Sequence, residues 1–140
     1  EKMHFCPFCE IISGKKSSYT IYEDDETLAF LDINPEVEGH TLIIPKKHVG
    51  NFKEIDGDTL KSLMLATQKV LTHYEDIGYC EGANILAASN VVADQSVSHF
   101  HIHLLPRHFE DTFDYWPVNQ DKDPKQFELS RVYDIVKIKP

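Results

Sequence analysis

His99-Phe100-His101-Ile102-His103-Leu104-Leu105 alternates polar and apolar residues without a break. On a strand, side chains alternate between faces, so the three imidazoles share one side while Phe100, Ile102 and Leu104 pack on the other. On a helix, positions two apart lie about 200° apart around the axis, which would scatter the histidines. The segment therefore reads as a strand, which Pro106 is expected to close. Neighbouring imidazoles are not all charged cheaply, and each can act near neutral pH as nucleophile, proton carrier or ligand. Two chemistries fit. A pair of histidines can hold a catalytic zinc that activates water, or one imidazole can attack an electrophile while its neighbours bind the developing charge. Spacing alone leaves both open.

Outward from this strand, Ser18-Tyr-Thr-Ile-Tyr-Glu23 and Thr27-Leu-Ala-Phe-Leu-Asp32 are β-prone runs separated by the acidic turn Asp24-Asp25-Glu26, the pattern of an antiparallel hairpin. Thr41-Leu-Ile-Ile-Pro45 is continuously apolar, as a strand buried on both faces would be. From Asp58, a candidate N-cap, Leu60, Leu63, Met64, Ala66, Val70, Leu71 and Tyr74 recur at helical spacing up to Gly78. Ala83-Asn-Ile-Leu-Ala-Ala88 adds a fourth strand before the histidine strand. The fold class is α+β, an antiparallel sheet with one dominant helix. Beyond Arg107 the chain turns polar and acidic through Trp116-Pro117, and its last segment, 124–139, fits a short helix or a strand such as Val132–Ile138.

The chain has 140 residues, a size for one domain spanning 1–140 with 108–140 as a tail elaborating it. A net charge of −9 argues against a partner that is nucleic acid or an anionic membrane, because either needs a basic footprint. No apolar run reaches the length of a membrane span, and Glu1-Lys2-Met3-His4 does not read as a signal peptide, so a cytoplasmic location is expected. Cys6-Pro-Phe-Cys9 is half of a metal site or a redox pair. The βαβ surroundings of a redox motif are missing, which favours zinc, and two more ligands are then needed. Cys80 stands alone and reads as a small core residue.

His99-φ-His101-φ-His103-φ-φ, with φ apolar, resembles the histidine-triad motif of the HIT superfamily of nucleotide hydrolases and transferases. Tyr22-Glu-Asp-Asp25, Ala29-Phe-Leu-Asp-Ile-Asn-Pro35, Gly39-His-Thr-Leu-Ile-Ile-Pro-Lys-Lys-His48 and Gln95-Ser96 resemble the family's other segments in the same order. The likeness is greatest to the bacterial Hint-like branch with a zinc-binding N-terminus. It implies a five-stranded antiparallel sheet with a long helix, paired as a homodimer. The implied reaction is cleavage at the α-phosphorus of a nucleoside monophosphate, here a purine nucleotide, joined to an amine, a phosphate or another nucleotide. A dinucleoside polyphosphate hydrolase and a nucleotide-binding regulatory module are the alternatives.

By position, the resemblance makes His101 the nucleophile that forms a covalent nucleotidyl-histidine, and His103 a donor to a phosphoryl oxygen. Gln95 and Ser96 would lie beside the phosphate and leaving group, with His40 orienting the site. Asp32 would accept both ribose hydroxyls, and Phe8, Phe30 and Ile33 would form the slot for the base. Read without the family, Phe30 is an ordinary strand residue and Asp32 starts the turn at Asn34-Pro35. His48 and His99 would complete a structural zinc with Cys6 and Cys9; the implied chemistry requires no metal at phosphorus. The chain departs from the family in Ala88-Ser-Asn90-Val-Val-Ala-Asp94, which lacks the usual glycine, so Ser89 and Asn90 compete for phosphate binding and the loop is expected to change conformation. Trp116-Pro117 resembles a terminal Trp-Pro that shapes the neighbouring subunit's site, and reads equally as a packing anchor for the tail.

Overall fold

The computed structural model describes residues 5–114 and 128–139. Helix α1 (Pro7–Ile12) is followed by strands β1 (Thr20–Glu23), β2 (Thr27–Leu31) and β3 (Thr41–Pro45), helix α2 (Gly57–Asp76), strands β4 (Gly82–Ala87) and β5 (Ile102–Arg107), and helix α3 (Leu129–Val136). The strands form one antiparallel sheet in the order β1-β2-β3-β5-β4. The α+β class and all five strands agree with the sequence.

The sheet divides its residues by parity. Ala29, Ile43, Phe100, Ile102 and Leu104 point into a core completed by Leu63, Ala66, Val70 and Tyr74 of α2. Leu28, Phe30, Leu42 and Ile44 point the other way and pack with Cys6 and Phe8 from α1. The histidine strand lies between β3 and β4, so its imidazole side opens toward α1 while its phenylalanine side is sealed by α2.

Three local readings change and a fourth is decided between its alternatives. The N-cap of α2 is Asp56, not Asp58: its carboxylate accepts from the Thr59 N–H at 3.2 Å and the Thr59 hydroxyl at 2.6 Å, leaving Asp58 in the first turn. Strand β5 begins at Ile102, so His99, Phe100 and His101 lie in the segment leading into it, and it runs through Pro106 to Arg107, because at that point it has outrun β3 and pairs only with β4. Helix α1 was not foreseen; six residues are too few for periodicity, although Pro7 at its first position and the Cys6 sulfur accepting from the Cys9 N–H are start signals. The last segment is helical over Leu129–Val136. Trp116 and Pro117 lie outside the described residues. Among the described residues no helix is long and apolar enough to cross a membrane.

The β1–β2 turn is held by Asp24, whose Oδ1 accepts from the N–H groups of Glu26 and Thr27 and the Thr27 hydroxyl, while its Oδ2 accepts from the Tyr22 hydroxyl at 2.7 Å. Burial alone would raise this carboxyl, but the hydrogen bonds win and hold it at about 2, below the ordinary 3.8. A carboxylate depressed on folding stabilises fully above its unfolded pKa and loses that contribution as pH falls toward the folded value. Asp24→Asn is therefore expected to cost roughly 1–2 kcal/mol at neutral pH, with the difference from the parent shrinking between about pH 4 and pH 2. Urea midpoints across that range test this; a pH-independent difference would count against it.

Candidate active site and metal cluster

Two cavities open on the imidazole side and share Asp32, Asn34, Ser96 and His103. The smaller, about 230 Å³, has an apolar end of Pro7, Phe8, Ile11 and Phe30, and reaches His101. The larger, about 750 Å³, is lined by His40 and by the carboxylates of Asp32, Glu36 and Asp94. Phe8 meets Phe30 edge-on at 5.6 Å and His101 at 5.1 Å, while His101 and His103 lie 4.8 Å apart, all between ring centres.

Backbone groups dictate which nitrogen of each ring carries hydrogen. His101 Nδ1 lies 2.8 Å from the His99 carbonyl; a carbonyl only accepts, so Nδ1 holds the proton and Nε2 keeps its lone pair. His40 Nδ1 accepts from the Glu36 N–H at 3.1 Å, which leaves its hydrogen on Nε2, donated to His103 Nδ1 at 2.8 Å. His103 in turn holds its hydrogen on Nε2. Burial pushes all three rings toward the neutral form, His103 to about 4, against the pull of Asp32. The result is a lone pair on one ring and an N–H on its neighbour, the complement of an electrophilic centre bearing a charged oxygen.

Asp32 starts the turn at Asn34-Pro35 and also borders the cavities. Its Oδ1 caps the turn by accepting from the Asn34 N–H at 2.9 Å, while its Oδ2 lies 3.6 Å from His40 Nε2 and the residue lines both cavities. Ile33 is 71% exposed, at the rim. Ser96 lines both cavities, but Gln95 lines neither: its Oε1 accepts from the Asn90 N–H, and its Nε2 donates to the carbonyls of Gly50 and Val97. Ser89 and Asn90 also turn away. The Ser89 hydroxyl accepts from the Phe52 N–H at 3.2 Å, and Asn90 Oδ1 accepts from Asn51 Nδ2 at 3.0 Å. The glycine-free loop still takes left-handed backbone at Asn90 (φ 75°) and Asp94 (φ 67°), two residue types that tolerate it. Pro7 and Ile11 lie in the cavity wall unanticipated; the Cys-Pro-Phe-Cys helix start was the available signal.

Cys6, Cys9, His48 and His99 converge, with one donor atom of each lying within 4.8 Å of all the others. Cys6 Sγ is 3.5 Å from His99 Nδ1, Cys9 Sγ is 3.2 Å from His48 Nδ1 and 3.6 Å from His99 Nδ1, and the two Nδ1 atoms are 3.1 Å apart. A tetrahedron with Zn–N and Zn–S bonds of about 2.0–2.3 Å has edges of roughly 3.3–3.8 Å, close to these separations. His99 Nε2 donates to the Pro45 carbonyl at 2.7 Å, which turns the Nδ1 lone pair into the cluster. The donor set and its outer support fit zinc.

A model of the HIT domain matches residues 13–110 of the chain. An uncharacterised HIT-like protein of Methanocaldococcus jannaschii is 42% identical over 106 residues, which are 76% of this chain and 81% of that protein. The adenosine 5'-monophosphoramidase of Candida albicans is 36% identical over 111 residues, 76% of this chain and 73% of its own. A crystal structure of a Zn-bound histidine triad family protein from Mycobacterium smegmatis superposes with a TM-score of 0.75 at 32% identity, covering 81% of this chain and 82% of that one.

Proposed function

Because the chain belongs to the HIT family, we propose that it hydrolyses nucleoside monophosphate conjugates at the α-phosphorus through a covalent nucleotidyl-histidine on His101. The observation that carries this reading is the pairing of an unprotonated His101 Nε2 with a hydrogen-bearing His103 Nε2 beside one cavity. The His101 lone pair forms a bond to phosphorus as the bond to the leaving group breaks, and the leaving amine departs with a proton from water. His103 donates to a phosphoryl oxygen whose charge grows in the transition state. The hydroxide left by that proton transfer then displaces His101, restoring its lone pair and releasing the nucleoside monophosphate. His40 positions His103 by holding its tautomer, Asp32 receives the ribose hydroxyls, and Phe8, Phe30 and Ile33 hold a purine base. Ser96 contacts the phosphate, while Gln95, Ser89 and Asn90 act by bracing the loop that carries it. The named phosphoramidase among the relatives supports the reaction class.

The carboxylates of Asp32, Glu36 and Asp94 in the larger cavity favour an amine as leaving group over a polyphosphate, whose charge they repel. An adenosine phosphoramidate is therefore expected to be turned over faster than a diadenosine polyphosphate. Asp94→Asn should narrow that ratio by about three- to tenfold at low salt, as removal of one unit charge near a polyanion would. Parallel measurements of AMP release on both substrates test this; faster polyphosphate cleavage by the parent would transfer the assignment to the polyphosphate hydrolases.

The proposal includes a structural zinc on Cys6, Cys9, His48 and His99, a cytoplasmic location in which these thiols stay reduced, and a homodimer. Among the described residues no strand pairs with the outer edge of β4, where Ile85 is exposed, which supports pairing with a second copy; a monomer mass in sedimentation would remove that part.

A further inference from the structure

Helix α1 serves two sites on fewer than two turns. Cys6 and Cys9 face the metal cluster, and between them Phe8 closes the apolar end of the nucleotide cavity and touches His101. A six-residue helix has no independent stability, so its position depends on what ties it to the sheet. The backbone hydrogen bonds of residues 5–16 close within that segment, as in Glu10 to Cys6, Ser13 to Cys9 and Lys15 to Glu10. Among the described residues, its side-chain hydrogen bonds to the rest of the chain are those of Cys6 and Cys9 with His48 and His99. The remaining tie is packing of Phe8, Ile11 and Ile12, in which the Phe8 ring stands edge-on to His99 of the cluster at 5.8 Å as well as to Phe30 and His101, so one ring touches both sites.

We propose that zinc on Cys6, Cys9, His48 and His99 and a nucleotide in the His101 cavity bind with positive linkage, transmitted by Phe8 as a positioning residue. Zinc fixes α1, α1 presents the Phe8 ring, and the ring forms one wall for the base. A base seated on that wall in turn holds α1 against the cluster. Linkage is reciprocal, so each ligand strengthens the other by the same factor. The inference rests on the nucleotide and zinc readings above, and it concerns binding alone.

The test uses Zn²⁺ and AMP. Zinc affinity is measured by competition with a chromogenic chelator, without and with saturating AMP, while calorimetry follows AMP binding to zinc-loaded and metal-stripped protein. AMP is expected to tighten zinc by about tenfold or more, within the usual range for coupled sites, and stripping zinc should weaken AMP by the same factor. Phe8→Leu, which keeps an apolar side chain in the packing, and Phe8→Ala should both still bind zinc but with the linkage cut to within about twofold. Equal zinc affinity with and without AMP in the parent protein, or linkage undiminished in both variants, overturns the inference. A chain that binds no zinc, or a zinc-loaded chain that binds no AMP, overturns it too. Because the two affinities are read separately, such a result identifies whether the metal reading or the nucleotide reading has failed.

Discussion

His101→Ala is expected to lower turnover of an adenosine phosphoramidate by at least about four orders of magnitude, the scale on which loss of a nucleophile acts, while AMP affinity changes by no more than a few-fold. The two effects separate because His101 contributes little of the cavity wall. The apolar end belongs to Phe8, Phe30, Pro7 and Ile11, and the polar lining includes Lys16, Ser17, Asp32, Asn34, Ser96 and His103. Nothing nearby can replace the lost lone pair, since the hydrogen on His103 is fixed on the nitrogen away from His40 by the Glu36–His40–His103 chain. Single-turnover kinetics with calorimetric AMP binding make the measurement, and mass spectrometry of the parent mixed with a slow adenylate should find the nucleotidyl group on His101. Turnover surviving in the variant would refute the nucleophile assignment. A parent chain that binds AMP tightly yet shows neither turnover nor adduct would be a nucleotide-binding module.

Loss of the metal is expected to have the largest effect on stability. His48 is the exposed member of the cluster, so His48→Ala leaves little void and its cost reports mainly the lost ion. At free zinc about a thousandfold above the dissociation constant, a ligand bound only by the native state contributes about 4 kcal/mol. For a domain of this size that amounts to a fall in Tm of roughly 10–20 °C. Elemental analysis of the purified chain and thermal melts with and without chelator check it. His48→Cys, which keeps a fourth ligand of a kind zinc accepts, should restore most of the loss. A parent that melts at the same temperature before and after chelation would remove zinc from the account.

The histidine strand was legible because strict alternation fits the period of a strand, although the strand itself begins at Ile102 and His99 and His101 precede it. The parity of its neighbours followed, which is why Leu28, Phe30, Leu42 and Ile44 fall on one face and Ala29 and Ile43 on the other. Half of the metal cluster was visible in Cys6-Pro-Phe-Cys9; His48 and His99 came from the family resemblance, since contacts 39 and 93 residues away leave no trace in spacing. Asp56 and Asp58 compete for the same cap, and local composition does not separate them. The bracing role of Gln95 was hidden because its partners are main-chain groups of Asn90, Gly50 and Val97. Ring tautomers were likewise unreadable, being set by the backbone N–H of Glu36 and the carbonyls of Pro45 and His99.

Pairing of β5 with β3 sets Ile102 opposite Ile43, His103 opposite Leu42 and Leu104 opposite Thr41. Side chains alternate, so sliding β5 by one residue would turn Ile102 and Leu104 toward the cavities and His103 under α2. There the His103 ring would lose the His40 partner it has in the native register, and a buried polar group without a partner is expensive. The packing that selects the register of the sheet therefore also selects the side on which His103 meets His40.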